Sequence, residues 1–197
     1  DLPLLRPETL RRLLDTVTDS TTFTVTGAVL DDPTGFGRLI RSTDGSLIEI
    51  VEDKDGTAAQ RAIHEVNVGL YAATGSTLFA TLHRVGTDNA KGEYYFTDVV
   101  KLLRADGSRV GIFSLMDADE ALQVNDRAGL ARVEAILHAR KAAALMAGGV
   151  TMHLPDSIMI DDDCMVGPDT EVWPGVVMRH GTRVGKDCDI GLGAVLS

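Results

Sequence analysis

Six residues separate each of Val166, Val172, Met178, Val184, Ile190 and Leu196, and Gly167, Gly185 and Gly191 directly follow three of them. That period leaves a chain little choice of fold. It marks a parallel β-helix, in which each apolar residue points inward from one strand of a triangular coil. An ordinary β meander would instead alternate with period two inside its strands and space its loops irregularly. The coil is expected over 150–197. Few turns of it are present before Ser197, whereas roughly three repeats are normally needed for a stable stack. The expectation is therefore that the sequence stops inside a domain.

The segment before the coil reads as one helix over 126–147. Leu130, Val133, Leu137 and Leu145 recur at helical spacing, Asp126 is an N-cap, and Gly148-Gly149 is a stop. Residues 126–149 are taken as a linker helix and 1–125 as a separate α/β domain. Within that domain, Pro7-Glu8-Thr9 opens a helix with Leu10, Leu13 and Leu14 on one face. Residues 22–30 alternate as a strand. Residues 38–41 and 46–52 form a hairpin through Thr43-Asp44-Gly45. A strand over 64–72, helices over 76–84 and 97–104, and a strand over 109–115 follow. Strands alternating with helices suggest a mixed, mostly parallel sheet covered on both faces.

Composition narrows the function. A net charge of −10 argues against a nucleic-acid groove, because a phosphate backbone repels an acidic surface. No stretch approaches the roughly 18 apolar residues that span a bilayer. The Asp1-Leu2-Pro3 opening has no basic segment and no apolar core of a signal peptide, and it lacks a methionine, so the natural start is expected upstream. Cys164 and Cys188 share one phase of the repeat but fall on different faces of the prism, too far apart for a disulfide. Reduced thiols fit a cytoplasmic protein. No Cys/His cluster has zinc spacing.

Several polar groups stand in ordered or turn contexts: Asp1, Gly35-Phe36-Gly37-Arg38, Glu52-Asp53-Lys54-Asp55, Asn67 inside an apolar strand, the run from Gly92 to Asp98, and Asn125-Asp126-Arg127. Each also has a bland reading. A Gly-x-Gly pair is a turn, a strand Asn is a satisfied core amide, and Asn-Asp before a helix is a cap.

Taken in order, these runs resemble a known family. Asp1-Leu2-Pro3-Leu4, Asp31-Asp32-Pro33-Thr34-Gly35-Phe36-Gly37-Arg38, Ile50-Val51-Glu52-Asp53-Lys54-Asp55, Glu65-Val66-Asn67-Val68-Gly69, Asn89-Ala90-Lys91-Gly92-Glu93-Tyr94-Tyr95-Phe96-Thr97-Asp98 and Val124-Asn125-Asp126-Arg127 are similar to the bacterial bifunctional N-acetylglucosamine-1-phosphate uridylyltransferase / glucosamine-1-phosphate N-acetyltransferase. The resemblance implies the C-terminal part of an α/β nucleotidyltransferase domain with a Rossmann-like mixed sheet. The linker helix and the first coils of a left-handed β-helix of hexapeptide repeats would follow. It implies uridylyl transfer from UTP to N-acetylglucosamine-1-phosphate, giving UDP-N-acetylglucosamine and pyrophosphate. A second activity would lie further on, acetyl transfer from acetyl-CoA to glucosamine-1-phosphate.

Position by position, the resemblance assigns Asp1 and Asn125 to Mg²⁺. It assigns Gly37, Glu52, Asn67, Tyr95, Thr97 and Asn125 to the sugar nucleotide, with no protein nucleophile. The chemistry is coherent, since Mg²⁺ takes one or two hard oxygen ligands plus phosphate oxygens, and such transfer rests on positioning and charge stabilisation. Val68 departs from the family, where a threonine is common. The family's glycine-rich basic loop would precede Asp1, and His180 lies too early to be the acetyltransferase histidine, reading instead as a surface turn residue. The chain alone is accordingly expected to be inactive, and a homotrimer through the coil is expected. Two other readings compete: a monofunctional sugar-1-phosphate nucleotidylyltransferase with a β-helical tail, and a scaffold that only trimerises.

Overall fold

The computed structural model describes residues 2–88 and 92–197, which form two compact units. One comprises Leu2 and residues 4–121; the other comprises Pro3 and residues 122–197.

The first unit is an α/β layer structure. Its elements are α1 (Pro7–Leu14), β1 (Phe23–Val29), β2 (Gly37–Arg41), β3 (Leu47–Val51), α2 (Ala58–Arg61), β4 (Glu65–Ala73), α3 (Gly75–Leu82), α4 (Asp98–Ala105) and β5 (Val110–Ser114), with a 3₁₀ turn at Ala118–Ala121. The strands form one sheet in the order β3-β2-β4-β1-β5. The sheet is mixed, but it is not mostly parallel as expected. β1 runs parallel to β5, while β1–β4, β2–β3 and β2–β4 are all antiparallel. The connections explain the correction. A parallel crossover needs a dozen or more residues, usually a helix, and β2–β3 is a tight hairpin, so that pair is antiparallel. β1 and β2 do not pair but flank β4, which runs against both.

Both faces of the sheet are covered, so the core falls in separate clusters. On one side Phe23, Val25, Leu39, Leu47, Ile50 and Val110 pack with Val99, Val100 and Leu103 of α4. Elsewhere Val66, Val68 and Ala28 meet Ala121 of the 3₁₀ turn, and Leu13 of α1 packs on Ala72 and Phe113. Of the three leucines expected to form the buried face of α1, only Leu13 is buried; Leu10 and Leu14 are exposed. The α1 start is tied down by buried Glu120, whose carboxylate accepts the Arg6 backbone N–H at 3.0 Å. The short α2 was not foreseen, although Thr57-x-x-Gln60 is a complete capping box.

The second unit begins with α5 (Arg127–Ala147), capped as expected by Asp126, whose carboxylate accepts the Gly129 N–H at 2.6 Å. Eight two-residue strands follow: β6 (Thr151–Met152), β7 (Met159–Ile160), β8 (Met165–Val166), β9 (Glu171–Val172), β10 (Val177–Met178), β11 (Arg183–Val184), β12 (Asp189–Ile190) and β13 (Val195–Leu196). They pair in parallel as three separate sheets, β13-β10-β7, β11-β8 and β12-β9-β6. Met159, Val177 and Val195 lie in one column, and Met165 lies on Arg183, so each turn of the chain takes eighteen residues.

The hexapeptide positions Val172, Met178 and Ile190 are buried, with Ile160 continuing the series backward. A second inward position two residues earlier went unread in the sequence. Ile158, Cys164, Thr170 and Val176 are buried there. Cys164 and Cys188 precede strands of different sheets, and both thiols are free. The first corner is longer than the rest because Pro155–Ser157 forms a 3₁₀ turn, so Thr151 pairs with Glu171, twenty residues on.

Candidate functional site

At one end of the sheet in the first unit, β2 and β4 meet only where Gly37 faces Asn67 and Arg38 faces Val66. The strands then part, and their ends open into a cleft of about 500 Å³ lined by Glu52, Asn67, Gly69, Tyr71 and the stretch from Tyr94 to Thr97. A smaller hollow of about 180 Å³ shares Glu52 and Tyr95 and adds Gly35, Asp53 and Lys54.

Strand alternation explains the wall. Asn67, Gly69 and Tyr71 are two apart, so they project to the same face of β4. Gly69 holds a backbone φ of +85°, which side-chain-bearing residues rarely adopt. In that conformation its N–H donates to Asn67 Oδ1 at 3.1 Å. The Asn67 amide Nδ2 donates to Tyr71 Oη at 2.8 Å. Across the cleft, Thr97 Oγ1 donates to Glu52 Oε1 at 2.9 Å from just before α4. Thr97 and Asn67 are both buried. The Tyr71 ring tilts against Phe96 with centroids 4.7 Å apart and against Phe23 at 5.8 Å, giving the cleft an aromatic floor. Burial pushes the Tyr71 phenol up to about 12; the negative charge of Glu52 adds to the rise, and the Asn67 hydrogen bond opposes it.

Gly37 stands close beneath this site. A Cβ there would lie 3.0 Å from Ile50 and 3.6 Å from each Glu52 carboxylate oxygen. Its neighbour Arg38 has a guanidinium only 3 % exposed. That group donates to Asp53 Oδ1 at 2.9 Å, to the Arg61 carbonyl at 3.2 Å and to the Phe36 carbonyl. It thus ties the Gly35–Gly37 loop to the turn that carries Glu52, and a buried cation with this many charge-assisted bonds fixes both.

The structure therefore gathers Gly37, Glu52, Asn67, Tyr95 and Thr97 at one place. Gly69, Tyr71, Tyr94 and Phe96 also line it and had no role assigned. Tyr71 reads as core because it is an aromatic residue in a strand, whereas Tyr94 and Phe96 stand in the run from Gly92 to Asp98 that the sequence singles out. The signal available was parity with Asn67. Of the two residues expected to bind metal, Asp1 lies outside the described residues, as do Asn89, Ala90 and Lys91 of the quoted motif. Asn125 is an exposed residue of the second unit, at the bend before α5. Among the described residues no group of three or more His, Cys, Asp or Glu side chains could hold a metal, and no helix is long and apolar enough to cross a membrane.

An α/β unit with a polar, aromatic-floored cleft, joined in sequence to a coil of short parallel strands, defines a chain of composite class. No protein-family model matches it, but along nearly its whole length it matches part of the proteins called bifunctional protein GlmU. The protein of that name from Geobacter metallireducens is 43 % identical over 197 residues, all of this chain and 41 % of the relative. That of Geobacillus thermodenitrificans is 40 % identical over 192 residues, 97 % of this chain and 42 % of the relative. The chain thus spans about two fifths of the length of these relatives. Among solved structures, a chain assigned as a glucose-1-phosphate thymidylyltransferase from Bacillus anthracis, in complex with sucrose, is a distant likeness. It shows 20 % identity and a TM-score of 0.43, over 66 % of this chain and 46 % of that one.

Proposed function

We propose that the chain is an interior part of a bifunctional enzyme of UDP-N-acetylglucosamine synthesis, and that its cleft binds the sugar of N-acetylglucosamine-1-phosphate during uridylyl transfer from UTP. The observation that carries this reading is the convergence of Glu52, Asn67 and Thr97, from three separate segments, around one polar cleft with an aromatic floor. Sugar recognition asks for that combination: fixed acceptors and donors for hydroxyls, and an apolar surface for the ring face or an N-acetyl methyl. Thr97 occupies Glu52 Oε1 and so holds the carboxylate in one orientation, leaving Oε2 to accept from hydroxyls. Gly37 presents backbone where a Cβ would crowd Ile50 and touch Glu52. Neutral and acidic contacts at the hydroxyl end let a chain of net charge −10 take an anionic ligand without a basic pocket.

A carboxylate and an amide oxygen are hard donors that suit Mg²⁺, and Asp1 and Asn125 are the residues we assign to it. When bound, the ion supplies neutralisation of the phosphates of both substrates. No residue acts as a nucleophile. The coil is assigned as left-handed, as a trimerisation element, and as the start of the part that transfers acetyl from acetyl-CoA to glucosamine-1-phosphate. The protein is assigned to the cytoplasm.

The test is pyrophosphate release from UTP and N-acetylglucosamine-1-phosphate with Mg²⁺, in the full reading frame that contains this segment. We expect Asn125→Ala to abolish release. Asn67→Ala should lower kcat/KM roughly 10- to 100-fold, the scale of one to two lost polar contacts to a ligand. Release with a different sugar phosphate only would move the assignment to a monofunctional relative. Turnover of UTP by the isolated 197 residues would overturn the view that this stretch alone is inactive.

A further inference from the structure

The hydrogen atoms of the cleft can be counted. A backbone N–H can only donate, so the Asn67 terminal atom 3.1 Å from the Gly69 nitrogen is the carbonyl Oδ1. The other terminal atom, 2.8 Å from Tyr71 Oη, is then the amide nitrogen. An amide nitrogen does not accept hydrogen bonds, so in this pair the phenol oxygen is the acceptor. The single phenolic proton is therefore not spent on Asn67, and among the described residues no acceptor takes it. Contact with Phe23 and Phe96 fixes the plane of the ring, and Tyr71 lines the cleft beside Glu52. The phenol keeps its proton far into the alkaline range. A half-buried donor whose proton meets no acceptor among the described residues, held rigid at a cleft wall, is costly unless a ligand or water takes its hydrogen bond.

We propose that Tyr71 is a specificity-determining residue that reads the ligand directly, its O–H donating to an acceptor oxygen on the sugar bound in this cleft. The inference rests on the reading of the cleft as a sugar-phosphate site. It completes a donor–acceptor pattern. Tyr71 O–H and the second Asn67 Nδ2 hydrogen face acceptor oxygens of the ligand, and Glu52 Oε2 faces a ligand hydroxyl. A pyranose carrying both kinds of group on neighbouring carbons fits that pattern; one stripped of its acceptor does not.

The test is calorimetric binding of N-acetylglucosamine-1-phosphate to the full-length protein, which does not depend on turnover. Tyr71→Phe keeps the ring and removes only the hydroxyl. We expect its Kd to rise about 5- to 10-fold, the scale of one neutral hydrogen bond, with the affinity for UTP unchanged. The same substitution made in an Asn67→Ala background separates direct contact from support of Asn67. A direct contact costs a further several-fold there. No further cost means that Tyr71 acts only by holding Asn67, and this overturns the proposal. An unchanged Kd in the single variant overturns it too, while leaving the cleft a sugar site. Wild-type protein that binds no sugar phosphate overturns both.

Discussion

Tyr71 also makes a claim that needs no ligand. Its ionisation in the folded protein is pushed up to about 12, against an ordinary value of 10.0, chiefly by burial. Between those values the unfolded chain has lost this proton and the folded chain still holds it. The unfolded state then binds fewer protons, and stability falls as pH rises. The contribution is intact below pH 10.0 and gone once pH passes about 12. An ultraviolet titration should therefore show Tyr71 ionising late. Tyr71→Phe should delete that late component and flatten the alkaline loss of stability. Residues such as Glu52, Asn67 and Thr97 could be picked out from sequence because a polar side chain inside a strand or before a helix asks for a reason. Tyr71 could not, because burying an aromatic ring in a strand is its own explanation. Arg38 was equally opaque: nothing in a strand-start arginine distinguishes a solvated one from a buried clamp.

At the scale of elements, legibility followed periodicity. The hexapeptide spacing placed six of the short strands, β8 to β13, because every inward residue repeats at one fixed offset. Strand direction in the first unit was not legible, because it depends on connection length and pairing partners rather than on the pattern within a strand. The coil offers a sharp test at Gly167. A Cβ there would sit 2.7 Å from the Gly185 backbone in the turn of coil stacked on it, and backbone cannot swing aside as a side-chain end can. Gly167→Ala should cost about 1–3 kcal/mol, the range of overpacking, and appear as earlier unfolding. Trp173 is the natural reporter. It is the single tryptophan, stacked on His153 at 4.3 Å with its indole N–H donating to Asp189 at 3.0 Å. The expected result is a lower unfolding midpoint by Trp173 fluorescence. An unchanged midpoint would mean that the neighbouring turn yields.

For the whole molecule, the two units have separate hydrophobic clusters and separate chromophores. Trp173 lies in the coil unit, and Tyr71, Tyr94 and Tyr95 lie in the sheet unit. A ligand of the cleft stabilises what binds it by mass action, roughly 2.7 kcal/mol at a hundred times Kd. N-acetylglucosamine-1-phosphate should therefore raise the unfolding transition seen by tyrosine absorbance and leave the one seen by Trp173 in place. Equal shifts in both would show that the units unfold as one.

The bond from Thr97 to Glu52 joins residues 45 apart in the chain, and the cleft is complete only when that loop has closed on the paired ends of β2 and β4. Contacts so distant in sequence are made at an entropic cost that local turns and helices do not carry. A newly made chain can thus hold its hairpin and its helices before the cleft exists. On the proposed reading, sugar binding reports that this loop has closed on β2 and β4; the β1–β5 pairing, between residues farther apart still, is a separate event.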